Sequence, residues 1–368
     1  MTGTVKSHRR LRLAAGALLL LFGASAWADD PQPEWLGLFR VRDLTPFGLT
    51  RLDFLPAHSV SAPPHTFGVE LSVSYQNTWA RSDNVAEYLG SRGSGRIPVT
   101  PGDISAIEAL PGDAYLVDGE YGLVDLTLHY RASTHFGTYI TIPYLFFGGG
   151  DFDATIEEVH NALGLGDAGR QFVPRNQWMM LAKLRNITIV QDSPPRDAFG
   201  DPVVGVRYSL FEKPTTWNLI LESAIKIPRG GERFMISTGE TDYGMQASYQ
   251  RFFRRNALYA TLAFVYYNAP DIALARDEWI PTAILGWETR LTQHTGFVLQ
   301  LYGSRSTVLQ TNLQELSANK YQATAGVQWN YRGNVLRFGL TENISNYNNT
   351  PDVGASLSFG RIFAGRSR

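Results

Sequence analysis

The chain has 368 residues, 44% of them hydrophobic and 18% charged, with no cysteine and a formal net charge of -1. It is too apolar to be disordered, and the missing cysteine excludes disulfide scaffolds, thiol catalysis and cysteine-ligated metals. The charge balance excludes a basic nucleic-acid footprint, and 17 Tyr, 20 Phe and 8 Trp beside 35 Gly suit antiparallel sheets with many tight turns.

Lys6, Arg9, Arg10 and Arg12 precede the apolar run Leu13 to Phe22, and Ala26-Trp27-Ala28 supplies small residues around a cleavage point. Residues 1–28 therefore read as a secretory signal, the run being about half of the roughly 20 residues a helix needs to span a bilayer. Without it, 29 Lys and Arg face 34 Asp and Glu, a net charge of -5. No long apolar stretch follows Asp29. The mature chain either dissolves in the periplasm or crosses a membrane as a closed barrel, because lipid leaves no partner for an open sheet edge.

Residues 29–65 carry the apolar clusters Trp35-Leu36-Gly37-Leu38-Phe39 and Leu52-Asp53-Phe54-Leu55 among several prolines. They read as a periplasmic linker or as a plug, and the clusters need burial somewhere. Period-two alternation then begins. Phe67, Val69, Leu71, Val73 and Tyr75 alternate with small or polar residues, as do Val124, Leu126, Leu128 and Tyr130. Further strands are predicted over 136–145, 204–210, 217–227, 243–253, 258–267, 279–291, 295–304, 321–331, 335–344 and 353–363. That makes twelve, most near the 9–11 residues a tilted strand needs to cross a membrane. Trp178 to Val190 is a candidate extra pair, giving fourteen as the alternative.

The connections alternate between short turns (132–135, 212–215, 254–255, 292–294, 332–334) and long loops (80–113, 146–202, 229–242, 268–278, 305–320, 345–352). Outer-membrane barrels segregate loop length in this way, with short turns and both termini on the periplasmic side. Tyr75, Tyr130, Tyr144, Trp217, Tyr243, Tyr249, Tyr259, Tyr267, Trp279, Trp287, Trp329 and Tyr331 fall near strand ends, the depth amphipathic rings favour. Within the longest loop, Asp153 to Leu163 is predicted helical, with Ile156, Val159 and Leu163 on one face and Glu157, Glu158 and His160 off it. The fold class is therefore an all-β transmembrane antiparallel barrel over 66–363, with a helix in a long extracellular loop and a tail at 364–368.

No catalytic or metal-binding signature emerges, since no histidine pair stands at helical i, i+4 spacing beside a Glu. Inward parity collects Glu70, Asp125, Gln246, Gln250, Gln300, Gln322 and Gln328, together with His129, Arg131, Arg207, Glu222, Lys226, Glu288, Arg290 and Arg337 as pathway candidates. An internal salt-bridge network and a substrate path fit this mixed lining equally well. Asn186-Ile187-Thr188 and Asn343-Ile344-Ser345 match the glycosylation pattern by chance in a bacterial-type barrel, and Gly148-Gly149-Gly150 reads as a hinge.

Leu38-Phe39-Arg40-Val41-Arg42-Asp43-Leu44-Thr45-Pro46-Phe47, Tyr75-Gln76-Asn77-Thr78-Trp79, Ile142-Pro143-Tyr144 and the run Ile156 to Leu165 through Gly169-Arg170 resemble an uncharacterised family of bacterial outer-membrane proteins, known only as a domain of unknown function. Segments 140–144 and 224–228 are similar, more loosely, to FadL-type and aromatic-degradation outer-membrane channels. The resemblance implies a barrel in the bacterial outer membrane and no assigned activity. Phe363 resembles the aromatic end of a signal for the barrel-assembly machinery. The functional expectation is a passive channel for small amphiphilic or hydrophobic compounds, occluded by residues 29–65 and 146–202. It needs no cofactor, and its partners are outer-membrane lipid, an unidentified small solute and the assembly machinery, with no nucleic acid. The competing classes are a non-transporting structural or adhesion barrel and a lipid-modifying enzyme using His129.

Overall fold

The computed structural model describes residues 35–58, 63–150, 152–163, 169–184, 187–212, 216–268, 278–308, 312–345 and 349–363. Residues 1–28, read above as a signal, the tail 364–368 and Asn186 of the first glycosylation match lie outside them.

Fifteen strands are formed among these residues: β1 Thr66–Arg81, β2 Ala114–Arg131, β3 Phe136–Gly148, β4 Met179–Leu184, β5 Ile187–Gln191, β6 Ala198–Phe199, β7 Val203–Ser209, β8 Trp217–Lys226, β9 Asp242–Phe253, β10 Asn256–Tyr267, β11 Glu278–Arg290, β12 Thr295–Ser304, β13 Lys320–Tyr331, β14 Asn334–Ser345 and β15 Val353–Phe363. Twelve of them make an antiparallel wall in sequence order, and β1 closes it by pairing with β2 on one side and β15 on the other. A closed wall leaves no unpaired edge, the condition for a sheet to cross lipid. The β4–β5 hairpin found at the candidate extra pair does not enter the wall. It pairs with the upper half of β2 (Tyr115↔Ala182, Val117↔Met180), while the lower half, from Glu120 down, pairs with β3. The barrel count therefore stays at twelve.

Polarity is inverted relative to a water-soluble sheet. On β8, Leu221 and Ile225 point outward and are 47% and 41% exposed, whereas Asn218, Glu222 and Lys226 point inward and are buried. The same inversion runs around the wall, from Leu126 and Leu262 to Leu340 outside and from Gln250 and Gln300 to Arg337 inside. A polar interior within an apolar outer band is the arrangement of a barrel solvated by lipid. Tyr259 and Tyr267 depart from the expected aromatic girdle. The register turns both inward, and each is almost fully buried. Tyr75 does face outward, but it is buried against Phe146 of β3 and Phe152 of the long loop that follows it.

The two rims differ as the connection lengths predict. One carries only short turns, including the two-residue turns 254–255 and 332–333. The other carries helices α1 (Asp83–Ser91), α2 (Pro101–Glu108), α3 (Asp153–Leu163) and α4 (Gln314–Ser317). Sequence reading foresaw α3 and missed α1 and α2. Val85, Leu89 and Ile107 of these two helices pack on Trp79, Leu116, Met179 and Leu181 above the wall. On α3, Glu157 is buried rather than solvent-facing, because Arg96 (2.6 Å) and Arg175 both pair with it. A second apolar cluster, with Tyr121, Trp178, Met180, Ile236, Val308 and Leu316, closes the long-loop mouth over Leu44 and Leu49 of the N-terminal segment.

Candidate functional site

Residues 35–58 lie inside the barrel. One leg runs from the short-turn end, where Leu36 and Gly37 donate their amides to the two oxygens of Glu288 (3.0 Å each), to a tip at 45–51 near the long-loop mouth. A second leg returns past Asp242, Gln246 and Gln250 to His58. The legs meet at the base, where Gly37, at φ +80, lies so close to His58 that a Cβ there would sit 2.5 Å from the imidazole.

Apart from the turn at the tip, the segment has no ladder hydrogen bonds of its own, and a buried backbone must find partners. The lumen side chains supply them. Gln300 accepts from the Phe39 amide (2.8 Å) and donates to the Phe39 carbonyl (3.4 Å); Gln76 accepts from Leu44 N (3.2 Å) and donates to Arg42 O (3.3 Å). Gln246, Gln250 and Gln328 donate to the carbonyls of Leu55, Ala57 and Gly37. A primary amide carries both a donor and acceptor lone pairs, so each such glutamine does what a neighbouring strand would do. The plug is held by side chains instead of by a sheet.

The tip is pinned by charge. Lys320 of β13 pairs with Asp43 and donates to Thr45 Oγ1 (3.0 Å); Lys226 of β8 pairs with Asp242 (2.9 Å) and donates to Thr50 O (2.9 Å). Within the tip, Arg51 pairs with Asp53 (3.3 Å) and reaches Tyr302 Oη (2.8 Å) on β12. The legs add Arg40 to Glu70 (3.0 Å) and Arg42 to Asp125 (2.7 Å).

Below the plug, at the short-turn end, remains a cavity of about 200 Å³. Its plug side is Trp35, Leu36, Arg40, Pro56 and His58, and its wall side includes His129, Arg207, Ile220 and Arg337. The lining continues onto Phe67, Tyr130 and Phe136, which the register places on the outward face.

A family model described as a protein of unknown function, DUF3187, matches residues 109–362, more than two thirds of the chain. The chain belongs to the DUF3187 family. No curated protein matches it. Among solved structures, the DUF3187 chain is similar to the COG4313 outer membrane channel from Pseudomonas putida F1, with a TM-score of 0.50 at 11% identity over 84% of this chain and 100% of that one. Weaker likenesses are the P. putida toluene transporter TodX (TM-score 0.37, 11% identity, 83% and 94% covered) and a Pseudomonas aeruginosa FadL homologue (0.33, 11%, 81% and 90%).

In the DUF3187 barrel all eight pathway candidates have inward register. They divide by what they touch. Glu288 holds the first plug amides, Lys226 holds the tip, Arg337 donates to Leu36 O (2.9 Å) and Glu70 (3.3 Å), and the Arg290 guanidinium lies 3.8 Å over the Trp35 ring. Glu222 is buried within the wall and accepts from Arg207 (2.5 Å), Tyr139 (2.5 Å) and Gln246 (3.0 Å). His129, 3.8 Å from Glu70, lines the cavity with Arg131, Arg207 and Arg337. Sequence reading missed Arg40, Arg42, Asp43, Gln76, Asp242 and Lys320. Asp242, Lys320 and Gln76 carried a legible signal, since each continues the inward parity of its strand.

Proposed function

We propose that this protein is a passive outer-membrane channel for a small, largely apolar compound with one polar end, described here in a plugged conformation. With the short-turn rim in the periplasm, residues 35–58 and the loop cluster over their tip close the path to the exterior. The observation that carries this reading is the coexistence of a plug held only by side chains with a cavity beneath it of small-molecule size. A cavity of about 150 Å³ takes up benzene when its lining is apolar, so about 200 Å³ suits one ring or a short chain. Trp35, Ile220 and Phe67 supply apolar lining, and Arg40, Arg207 and His129 supply the polar end. The lipid-facing exterior and the barrel likeness to a solved outer-membrane channel support the location. We read the protein as a channel and not as an enzyme, with His129 serving to line the cavity.

A second reading, a non-transporting structural barrel, draws support from the buried charge pairs at the tip and the apolar seal above it. Uptake into liposomes holding the purified protein separates the two. Entry of small aromatic or short aliphatic compounds well above that into protein-free liposomes, with no entry of sugars of similar mass, supports the channel. Equal uptake with and without protein across the whole panel supports the structural barrel.

A further inference from the structure

On the long-loop side, five arginines are matched to carboxylates, Arg92 to Asp103, Arg96 and Arg175 to Glu157, Arg170 to Asp153 and Asp352, and Arg305 to Glu278, with Arg81 close to the same cluster, while Arg229 stands over the Phe199 ring (5.8 Å) and Arg233 donates to Phe199 O (3.1 Å). The short-turn rim is built differently. Its outer edge carries Arg251, Arg254, Arg255, Arg332 and Arg361, and Glu212 is the acidic side chain among the described residues of these turns. No described carboxylate lies within 4 Å of Arg251, Arg254, Arg255 or Arg332. Three of these guanidinium groups sit over aromatic rings at the ends of the strands: Arg251 over Phe253 (5.6 Å), Arg332 over Tyr331 (5.1 Å) and Arg361 over Phe363 (5.3 Å). Those rings face outward, so the charges stand at the level where an apolar band ends.

The backbone gives an independent indication. Arg254 (φ 30) and Arg332 (φ 51) occupy the first position of their two-residue turns with positive φ. Such turns favour Gly at that position when it alone is positive, and Asn-Gly when both are, as in Arg332-Gly333 (φ 51 and 76). A left-handed arginine is a poor choice for the turn itself, and an outlier of this kind points to a use for the side chain.

We propose that the short-turn rim is a docking surface for the phosphate headgroups of anionic phospholipids in the leaflet it faces. The inference rests on the membrane reading above. Arg251, Arg254, Arg255 and Arg332, with no described carboxylate within 4 Å and two of them stacked on rings at the interface, complement a layer of lipid phosphates. The consequence is a barrel fixed in depth and orientation, with its cavity end on the phospholipid side.

The test replaces the arginines by the residues their turns prefer, Arg254→Gly with Arg255→Asn, and separately Arg332→Asn, so that loss of binding is not loss of fold. Phosphatidylglycerol and phosphatidylcholine are titrated into the detergent-solubilised full chain and bound lipid is counted by native mass spectrometry. The wild type is expected to prefer phosphatidylglycerol, and each arginine removed to weaken that lipid by about fivefold. Phosphatidylcholine binding and the heat-modifiable gel shift stay unchanged. Undiminished phosphatidylglycerol binding in the variants, or equal binding of both lipids by the wild type, overturns the proposal. So does displacement of the lipid by glycerol phosphate or by polyglutamate at matched concentration, which would mark a site for free anions or for an acidic protein. In a companion experiment the full chain is diluted from detergent into vesicles of either phospholipid; insertion into neither contradicts the membrane reading, and the proposal falls with it.

Discussion

Lys320→Met is the sharpest perturbation of the plug. Lys320 and Asp43 are both almost wholly buried, and their pair ties the tip of the N-terminal segment to the wall. Removing one member of a buried pair leaves an uncompensated charge and typically costs about 3–5 kcal/mol. Asp43 keeps hydrogen bonds from Thr45 N (3.0 Å) and Thr45 Oγ1 (2.6 Å), which places the cost near the lower end, about 3 kcal/mol. That corresponds to a rise of roughly 150-fold in the undocked population of the tip. In Asp43→Asn with Lys320→Met neither charge of the pair remains buried and the amide oxygen still accepts from Thr45, so most of the loss is recovered. Limited proteolysis of the folded, detergent-solubilised barrel reads the plug directly. The single variant is expected to be cut within 35–58 far faster than the wild type, and the double variant to approach wild-type protection. If the two single costs simply add in the double variant, the pair does not latch the plug and the reasoning fails.

A Cβ on Gly286 would lie 2.2 Å from Leu38 Cδ2, so Gly286→Ala should loosen the plug by about 1–3 kcal/mol without harming the wall, and Leu38→Ala should restore protease protection in the same chain. Leu221→Arg, on the outward face, should impair assembly by about 2–4 kcal/mol at the midplane, whereas Arg290→Gln, on the inward face, should assemble normally; the opposite result on heat-modifiable gels means that the register has slipped by one. At the start of α2, burial raises the Asp103 carboxyl, but hydrogen bonds from the Thr100 hydroxyl and amide and from Tyr88, with Arg92 close by, outweigh it and hold the group down to about 2. Its stabilisation of the loop 82–113 is thus present above the ordinary value of 3.8 and lost as pH falls toward 2. Hydrogen exchange in 101–108 should accelerate over that window in the wild type and show no such step in Asp103→Asn.

The wall was legible because its chemistry is periodic. Inward polar and outward apolar residues alternate over ten or so positions, and the turns that reverse each hairpin are short on one rim only. The upper half of β2 was not legible for the complementary reason. Tyr115-Leu116-Val117 is buried on both faces, by the loop cluster inside and by α1 and α2 outside, so alternation disappears there. Helix α2 did announce itself in Thr100-Pro101-Gly102-Asp103, whose Thr and Asp side chains form a capping box, but with a helix of only eight residues no apolar stripe accompanied the signal. The plug lies at the far limit of sequence reading. Its apolar clusters demand burial, yet its path is set by partners more than 80 residues away for Arg42 and more than 250 away for Leu36, and no local pattern encodes them. The lumen glutamines were visible as inward residues, but their pairing with an extended backbone becomes apparent only when the segment is in place.

Single-channel recording in planar bilayers compares the full chain with a variant lacking residues 36–57. The full chain is expected to be silent or nearly so, and the deletion variant, still heat-modifiable, to open in discrete steps. A deletion variant as silent as the full chain, or a full chain that already conducts equally well, would contradict the claim that this segment closes the barrel.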